Sequence, residues 1–272
     1  MKKLKSIQPI AKRYATYGSS PILILGSDLN YWVCKYKDVN KLFNELLAYH
    51  FACLWHINIP ESALIEIDYE KHVLPFEDRQ GLVRLFFERE CFGSSFLEKA
   101  FDIHQFILTN ADVTRKIKNK EDFLKIALFD IWLSNEDRNQ GNYNLLLQSV
   151  KGGYMLLYII DNTDIFNSSM AYGNTITELT QEDSLLNSAL ATLLFGEDSR
   201  LSQKVDLLLK DFYLFVEECQ RNLPSILDAV PQKWKIDIAN YHTKINMIFS
   251  PQWLEICEHT FREYVQTFII SK

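Results

Sequence analysis

The pattern of apolar residues changes along the chain, and this change limits the possible folds more than any other feature. Short strand-like runs such as "YWVCKYK" (31–37) and one helix-like run (39–56) make up the first third, whereas the segments after Thr180 have apolar residues at helical spacing. The sequence therefore predicts an α+β protein with a small β-rich N-terminal lobe and a larger, mostly helical C-terminal lobe. We place the boundary near residues 92–101, where "FGSSF" (92–96) marks a break, and divide the chain into residues 1–95 and 96–272.

Composition and charge exclude several classes of protein. With 272 residues, 47% of them hydrophobic, the chain is long enough to bury the core of one large domain or of two lobes. The formal net charge of −6 argues against a broad basic surface for duplex nucleic acid, although a local basic cleft is compatible with it. No run approaches the roughly 18–20 apolar residues of a membrane helix, and the basic N terminus is not a signal peptide. We expect neither direct nucleic-acid binding nor a membrane partner.

The cysteines indicate a reducing compartment. They are scattered, odd in number and without CxxC spacing, so neither a zinc cluster nor a disulfide framework is expected. Free buried thiols and a cytoplasmic location are the simplest interpretation. The residues concerned are Cys34, Cys53, Cys91, Cys219 and Cys257.

A polar stretch, "SNEDRNQGN" (134–142), separates an apolar helix-like run from a strand-like hairpin. It contains Asp137 and, five residues later, Asn142, and the hairpin closes on Asp161. Oxygen ligands on neighbouring loops suit magnesium, which takes the rest of its shell from water and phosphates. A further carboxylate beside them could orient or deprotonate an attacking hydroxyl. Considered separately, Asp137 and Arg138 fit a surface ion pair equally well, and Asn142 fits an ordinary turn.

Further candidate residues lie upstream. Lys35 is near the end of a strand-like run and Glu45 is on the following helix, an arrangement that places a fixed positive charge on nucleotide phosphates. Earlier still, "YGSSP" (17–21) offers backbone amides and hydroxyls that could cover a phosphate. Taken alone, Lys35 fits a solvated strand lysine and Glu45 a charge on a helix surface. The order of the pieces along the chain favours a site for phosphoryl transfer.

Together these segments resemble the HipA-like kinases, whose protein-kinase-like fold is shared with phosphatidylinositol kinases. "NEDRNQGNYNLLL" and "LYIIDNTDIF" are similar to the family's D-[RN]-H-x-x-N and I-D-H-G-type segments. "YWVCKYK" is similar to its lysine strand, and "NELLAYHFACLWHINIPESALIEI" to its helix and following strand. The resemblance spans about residues 15–250 and implies a two-lobed kinase fold.

The resemblance implies a role for each candidate residue. Asp137 would be the catalytic base or would orient the substrate, while Asn142 and Asp161 would bind magnesium and complete the catalytic set. Lys35 would contact the phosphates of ATP, with Glu45 as its partner. The residues of the phosphate-covering loop would be Tyr17, Gly18, Ser19 and Ser20.

The chain departs from the family pattern at two places. Asn139 stands where histidine usually follows Asp-Arg, and Asn162-Thr163 stands where His-Gly or Phe-Gly usually follows the metal aspartate. Neither change removes the base or a metal ligand, so both concern the geometry of the loops. The run "RLFFERECF" (84–92) fits either another strand or the start of a connector. The connector against which adenine rests would be residues 86–92.

The function implied by the resemblance is that of an ATP-dependent serine/threonine protein kinase of toxin or regulatory type. It would transfer the γ-phosphate of ATP, with magnesium, to a hydroxyl of a protein substrate, and an inhibitory protein partner would be one means of restraining it. Two alternatives stay open. One is a kinase for a small molecule or a lipid head group, which the helical lobe could equally accommodate. The other is a catalytically weak nucleotide-binding regulatory module, which the two departures motivate.

Overall fold

The computed structural model describes residues 1–15, 20–103, 111–168 and 175–271, and their side chains except those of residues 111–113. The chain forms two compact units. Unit 1 comprises Met1–Tyr49, Pro60–Glu98 and Ser225–Ile236, and unit 2 comprises His50–Ile59, Lys99–Pro224 and Asp237–Lys272. The predicted α+β class, with a small β-rich N-terminal part and a larger helical C-terminal part, is confirmed. The division into domains after residue 95 stays a prediction.

Unit 1 is built on a six-stranded sheet. Its strands are β1 (Lys2–Lys5), β2 (Lys12–Arg13), β3 (Ile22–Leu25), β4 (Tyr31–Lys35), β5 (Ser62–Glu66) and β6 (Cys91–Ser95). Their order across the sheet is β1-β5-β6-β4-β3-β2. β1 runs parallel to β5, and the other neighbours are antiparallel. β4 therefore lies inside the sheet, where its backbone is held on both sides.

β4 and helix α1 (Val39–Leu54) carry the predicted Lys35 and Glu45. Trp32 and Cys34 are buried, so the alternation of a strand places the side chain of Lys35 on the opposite face from them. The predicted helical spacing of α1 is also observed, because its apolar residues enter the core. Those with at most 1% exposure include Leu42, Phe43, Leu46 and Leu47.

The segment 84–92, expected to be a strand or the start of a connector, consists of two different elements. Arg84–Phe87 forms a short helical turn, and β6 begins only at Cys91. The two phenylalanine rings of the turn lie with their centroids 5.7 and 5.3 Å from that of Tyr36. Contact with this ring favours a turn over a straight strand, so the strand alternative is wrong for residues 84–90 and correct only for Cys91 and Phe92.

A segment distant in sequence completes unit 1. Residues 225–236 include a short helical turn, Gln232–Trp234, whose Trp234 side chain is 2% exposed. The indole Nε1 of Trp234 donates to the backbone oxygen of Glu90 at 2.7 Å, directly before β6. Burial of a tryptophan with its polar atom bonded is a strong local attachment. The sequence pattern did not predict this attachment.

Unit 2 contains a three-stranded antiparallel sheet. Its strands are β7 (Ala100–Asp102), β8 (Leu145–Ser149) and β9 (Met155–Ile159), in the order β7-β8-β9. The hairpin predicted to follow the polar stretch is observed as β8 and β9, and Gly152 and Gly153 in its turn have φ values of 87° and 78°. The remaining helices are α2 (Ala111–Lys116), α3 (Glu121–Leu133), α4 (Ala189–Phe195), α5 (Leu201–Asp228), α6 (Ile238–Ile248) and α7 (Pro251–Val265). Further helical turns are Tyr69–Val73 in unit 1 and Gln266–Ile270 in unit 2.

Helix α3 is the buried support of unit 2. The indole of Trp132 donates to the Ile248 oxygen at 2.7 Å, and the indole of Trp253 donates to the Trp132 oxygen at 2.9 Å. The helix ends at Ser134, which has a φ of 47° and directs the chain into the polar stretch. In the part of the chain that the structure describes, neither α3 nor any other helix is long and apolar enough to cross a membrane.

Candidate active site

The loop between α3 and β8 holds both carboxylate oxygens of Asp137. The side-chain amide of Asn142 donates to Oδ1 at 3.1 Å, and that of Asn144 donates to Oδ2 at 2.8 Å. Two donors on the two oxygens restrict rotation of the carboxylate. The structure thus brings the predicted Asp137 and Asn142 into direct contact, and it adds Asn144, which the sequence pattern did not single out.

Asn139 shapes this loop. Its Oδ1 accepts from the backbone nitrogens of Gly141 at 2.9 Å and Asn142 at 3.2 Å, and its Nδ2 donates to the Glu136 oxygen at 3.1 Å. Its backbone also exchanges two hydrogen bonds with that of Asn142. Asparagine is well suited to such local side-chain bonds. The residue that departs from the family pattern therefore stabilises the turn that presents Asn142.

Asp161 follows β9 in a strained backbone conformation. Its φ of 55° lies in the left-handed region, which aspartate enters more readily than most residues. The Thr163 hydroxyl lies 3.0 Å from Asp161 Oδ1 and 2.7 Å from Asp164 Oδ2. Because this hydroxyl has one hydrogen, it donates to one of the two carboxylates at a time. Asp164, which is buried, is therefore a further acidic group at this end of β9.

The charges of this site fit a divalent cation. Burial raises the pKa of Asp137, the amides of Asn144 and Asn142 lower it, and the carboxylates of Asp161 and Asp164 raise it. Like charges so placed destabilise one another unless a cation is bound near them. In the described residues no three His, Cys, Asp or Glu form a complete metal site. A magnesium ion here would thus need phosphate and water oxygens for the rest of its shell, as it commonly does.

Arg138 is buried beneath the site, which the sequence pattern did not predict. Its side chain is fully buried, and it donates to Asp130 Oδ1 at 2.5 Å, to the Ile160 oxygen at 2.8 Å and to Asn162 Oδ1 at 2.6 Å. The alternative of a surface ion pair with Asp137 is therefore wrong. Asp130 was the available signal, because a carboxylate within the apolar run of α3 requires a buried partner.

In unit 1, Lys35 and Glu45 form an ion pair. The ammonium group of Lys35 contacts Glu45 Oε1, and the two side chains are only 14% and 5% exposed. Burial of both groups distinguishes this pair from a solvated lysine and a surface charge. Ser20 has a φ of 46°, and its backbone oxygen accepts from the Tyr36 hydroxyl at 3.0 Å. The other residues of the predicted phosphate loop, Tyr17, Gly18 and Ser19, lie outside the described residues.

The candidate residues thus form two groups. Lys35 and Glu45 belong to unit 1, and Asp137, Asn142 and Asp161 belong to unit 2. Within each group the side chains interact with one another or with shared neighbours. Their roles in binding and catalysis stay predictions. The predicted adenine connector, residues 86–92, lies within unit 1 and its last two residues are in β6.

Comparison with known proteins identifies the family of this chain. A family model described as HipA-like kinase matches residues 7–263. A search among curated proteins finds no match. Among solved structures, the proinflammatory kinase CtkA of Helicobacter pylori is similar to this chain at 12% sequence identity and a TM-score of 0.47. The similarity covers 98% of this chain and 94% of that one.

Proposed function

The chain belongs to the HipA-like kinase family, and from this we propose that it transfers the γ-phosphate of ATP, bound with magnesium, to a serine or threonine hydroxyl of a protein. Family membership makes the chain a kinase and hence a phosphotransferase. One observation carries the rest of the proposal. The Asp137 carboxylate is held by two amides and lies near two further carboxylates, those of Asp161 and Asp164.

In the proposed reaction, Asp137 acts on the acceptor. The acceptor oxygen bonds to the γ-phosphorus, the bond from that phosphorus to the β–γ bridging oxygen breaks, and ADP leaves. The proton of the acceptor hydroxyl moves to the Asp137 carboxylate. A carboxylate whose pKa is raised is a better proton acceptor than an ordinary one, and burial raises the pKa of Asp137.

The remaining residues would bind the nucleotide. Asn142 uses its amide nitrogen to hold Asp137, which leaves its amide oxygen for a metal. With Asp161, that oxygen would hold magnesium, which when bound neutralises charge on the phosphates. Lys35, held by Glu45, would place a positive charge on the phosphates of ATP.

The alternative of a catalytically weak module rests on the unusual residues Asn139 and Asn162-Thr163. All three are held by hydrogen bonds: Asn139 within the loop between α3 and β8, Asn162 with Arg138, and Thr163 with the carboxylates of Asp161 and Asp164. They therefore support loops that a kinase needs, which favours an active enzyme. Protein acceptors are distinguished from small-molecule acceptors by experiment. Proteins and small metabolites from the same cell extract are offered to the enzyme in separate reactions.

The decisive experiment measures transfer from γ-labelled ATP with magnesium, comparing the wild type with Asp161→Asn. Asparagine tolerates the left-handed backbone at this position and removes only the charge, so the variant is expected to fold and to lose at least 100-fold in rate. Asp211→Asn, at an exposed carboxylate on α5, is the matched control and is expected to keep full activity.

Label on a protein in the wild type and its loss in Asp161→Asn support a protein kinase. Label found only on a small metabolite or lipid supports the alternative acceptor. Bound ATP that is never turned over by the folded wild type, with either set of acceptors, contradicts the proposal and favours the nucleotide-binding module.

Magnesium is expected to be required for tight nucleotide binding. Without the ion, the phosphates of ATP meet the carboxylates of Asp161 and Asp164, and like charges repel. We expect affinity for a fluorescent ATP analogue to fall at least tenfold in chelator and to return when magnesium is added. Equal affinity in both conditions would argue against metal ligation by Asn142 and Asp161.

A further inference from the structure

One guanidinium group connects the neighbours of the predicted base with the neighbours of the predicted metal ligand. Arg138 follows Asp137 directly in the chain, and its Nη2 donates to the Ile160 oxygen at 2.8 Å and to Asn162 Oδ1 at 2.6 Å. These two acceptors flank Asp161 on both sides. The Arg138 side chain is 0% exposed, so water does not compete for its bonds.

The same group is tied to two other segments. Its Nη1 donates to Asp130 Oδ1 at 2.5 Å, in helix α3, and its Nε lies 3.5 Å from the Asn144 oxygen. The Asn144 oxygen also accepts from the Ile160 nitrogen at 3.0 Å, and the Asn144 side chain holds Asp137 Oδ2. The network of hydrogen bonds therefore runs continuously from helix α3, through the loop between α3 and β8, to the residues around Asp161.

The backbone conformation of Asp161 needs support from its surroundings, and this network supplies it. A non-glycine residue with a φ of 55° stays in that conformation only when the surrounding structure holds it. Arg138 bonds to the residue before Asp161 and to the residue after it. Removal of these bonds would free the strained residue and change where its carboxylate lies.

We propose that Arg138, anchored by Asp130, is a positioning residue that sets the placement of the Asp161 carboxylate relative to the Asp137 carboxylate. The inference rests on the proposed function and adds to it the element that holds base and metal ligand in one geometry. Arg138 touches neither nucleotide nor acceptor in this role. It acts through Asn144, Ile160 and Asn162.

Arginine is required for this task by its shape. The guanidinium is planar and has five N–H donors in a fixed fork, which serve Asp130 on one side and Ile160 with Asn162 on the other. A lysine keeps the charge beside Asp130 but has one nitrogen on a flexible stem. Arg138→Lys therefore keeps the ion pair and gives up contacts to the segment around Asp161.

The test compares the wild type with Arg138→Lys, with Arg221→Lys as the control because Arg221 forms an exposed pair with Glu217. The measurements are the folded fraction, kcat and KM for ATP, and affinity for a fluorescent ATP analogue as a function of magnesium concentration. For Arg138→Lys we expect kcat per folded molecule to fall at least tenfold. The magnesium concentration for half-maximal binding should rise at least threefold, and affinity in chelator should stay within twofold.

A residue that serves only folding would give a different result. It would lower the folded fraction and leave kcat and the magnesium requirement of the folded molecules unchanged, and this outcome overturns the proposal. If Arg138→Lys does not fold, Asn162→Ala carries the test, because it removes one acceptor and keeps the pair of Arg138 with Asp130. The same rise in magnesium requirement is expected from Asn162→Ala, and its absence overturns the proposal.

Failure of the proposed function gives a separate signature. If the folded wild type neither transfers phosphate nor binds nucleotide more tightly with magnesium, both the function and the positioning role fall. If the wild type does either and the two variants match it, only the positioning role falls.

Discussion

Asp137→Ala is expected to lower the rate of phosphoryl transfer by about 10²–10⁴-fold, the usual contribution of a general base, while ATP still binds. The reason is that Asp137 acts on the acceptor hydroxyl, whereas Asn142 and Asp161 are the predicted magnesium ligands and Lys35 is the predicted phosphate contact. A group that serves mainly the transition state affects kcat more than ground-state binding. Single-turnover rates with labelled ATP and direct titration of nucleotide affinity measure the two effects separately.

The control for this variant is Asp211→Ala, which removes an exposed carboxylate from α5 in the same unit. It is expected to retain the wild-type rate and affinity. Loss of the Asp137 carboxylate also frees the amides of Asn142 and Asn144, so a modest change in magnesium affinity is compatible with the proposed role. Near-normal turnover by Asp137→Ala would remove Asp137 from the mechanism.

Asp130→Ala is expected to lower the free energy of unfolding by about 3–5 kcal/mol, because it leaves the buried charge of Arg138 without its partner. The two side chains are 1% and 0% exposed, so the guanidinium group left behind is shielded from bulk solvent. Burial raises the pKa of Asp130 to about 6 even beside the guanidinium, and the carboxyl is fully charged only above that value. Urea unfolding at pH 8 therefore measures the loss of an ionised partner.

A double variant tests whether the unpaired charge causes this loss. In Asp130→Ala/Arg138→Leu both charges are absent, and replacement of a buried ion pair by apolar groups is often close to neutral. We expect the double variant to be more stable than Asp130→Ala alone and to be catalytically impaired. If the double variant is as unstable as the sum of the two single changes, the residues do not act as a pair. The exposed pair of Arg262 with Asp206 offers a control, since its loss should cost at most about 1 kcal/mol.

Local patterns were sufficient for the main elements of this fold. The hydrophobic spacing of α1 and α3, the Lys-Gly-Gly turn between β8 and β9, and the change from strands to helices are all properties of short stretches of sequence. The contact of Asp137 with Asn142 is also local, because the two residues share one loop. The pair of Lys35 and Glu45 spans a single strand-to-helix connection.

Contacts that depend on the tertiary fold could not be predicted from local sequence patterns. Asp130 within an apolar run indicates a buried partner, but no sequence pattern identifies Arg138 as that partner. The bonds of Arg138 to Ile160 and Asn162 depend on how β9 returns to the loop. Arg138 in isolation fits an exposed residue, since most arginines are exposed. The segment 84–92 failed for a related reason, because its turn is favoured by packing against Tyr36 rather than by local preference.

The attachment of Trp234 has a consequence for biosynthesis. The strands of unit 1 have all been translated by residue 95, but the segment that bonds to the backbone directly before β6 follows only after most of unit 2 has been translated. At typical elongation rates of about 5–20 residues per second, this delay is about seven to thirty seconds. During that interval the nascent six-stranded sheet lacks the hydrogen bond from Trp234 to the backbone directly before β6. Unit 1 is therefore finished after translation of most of unit 2, although it contains the N terminus.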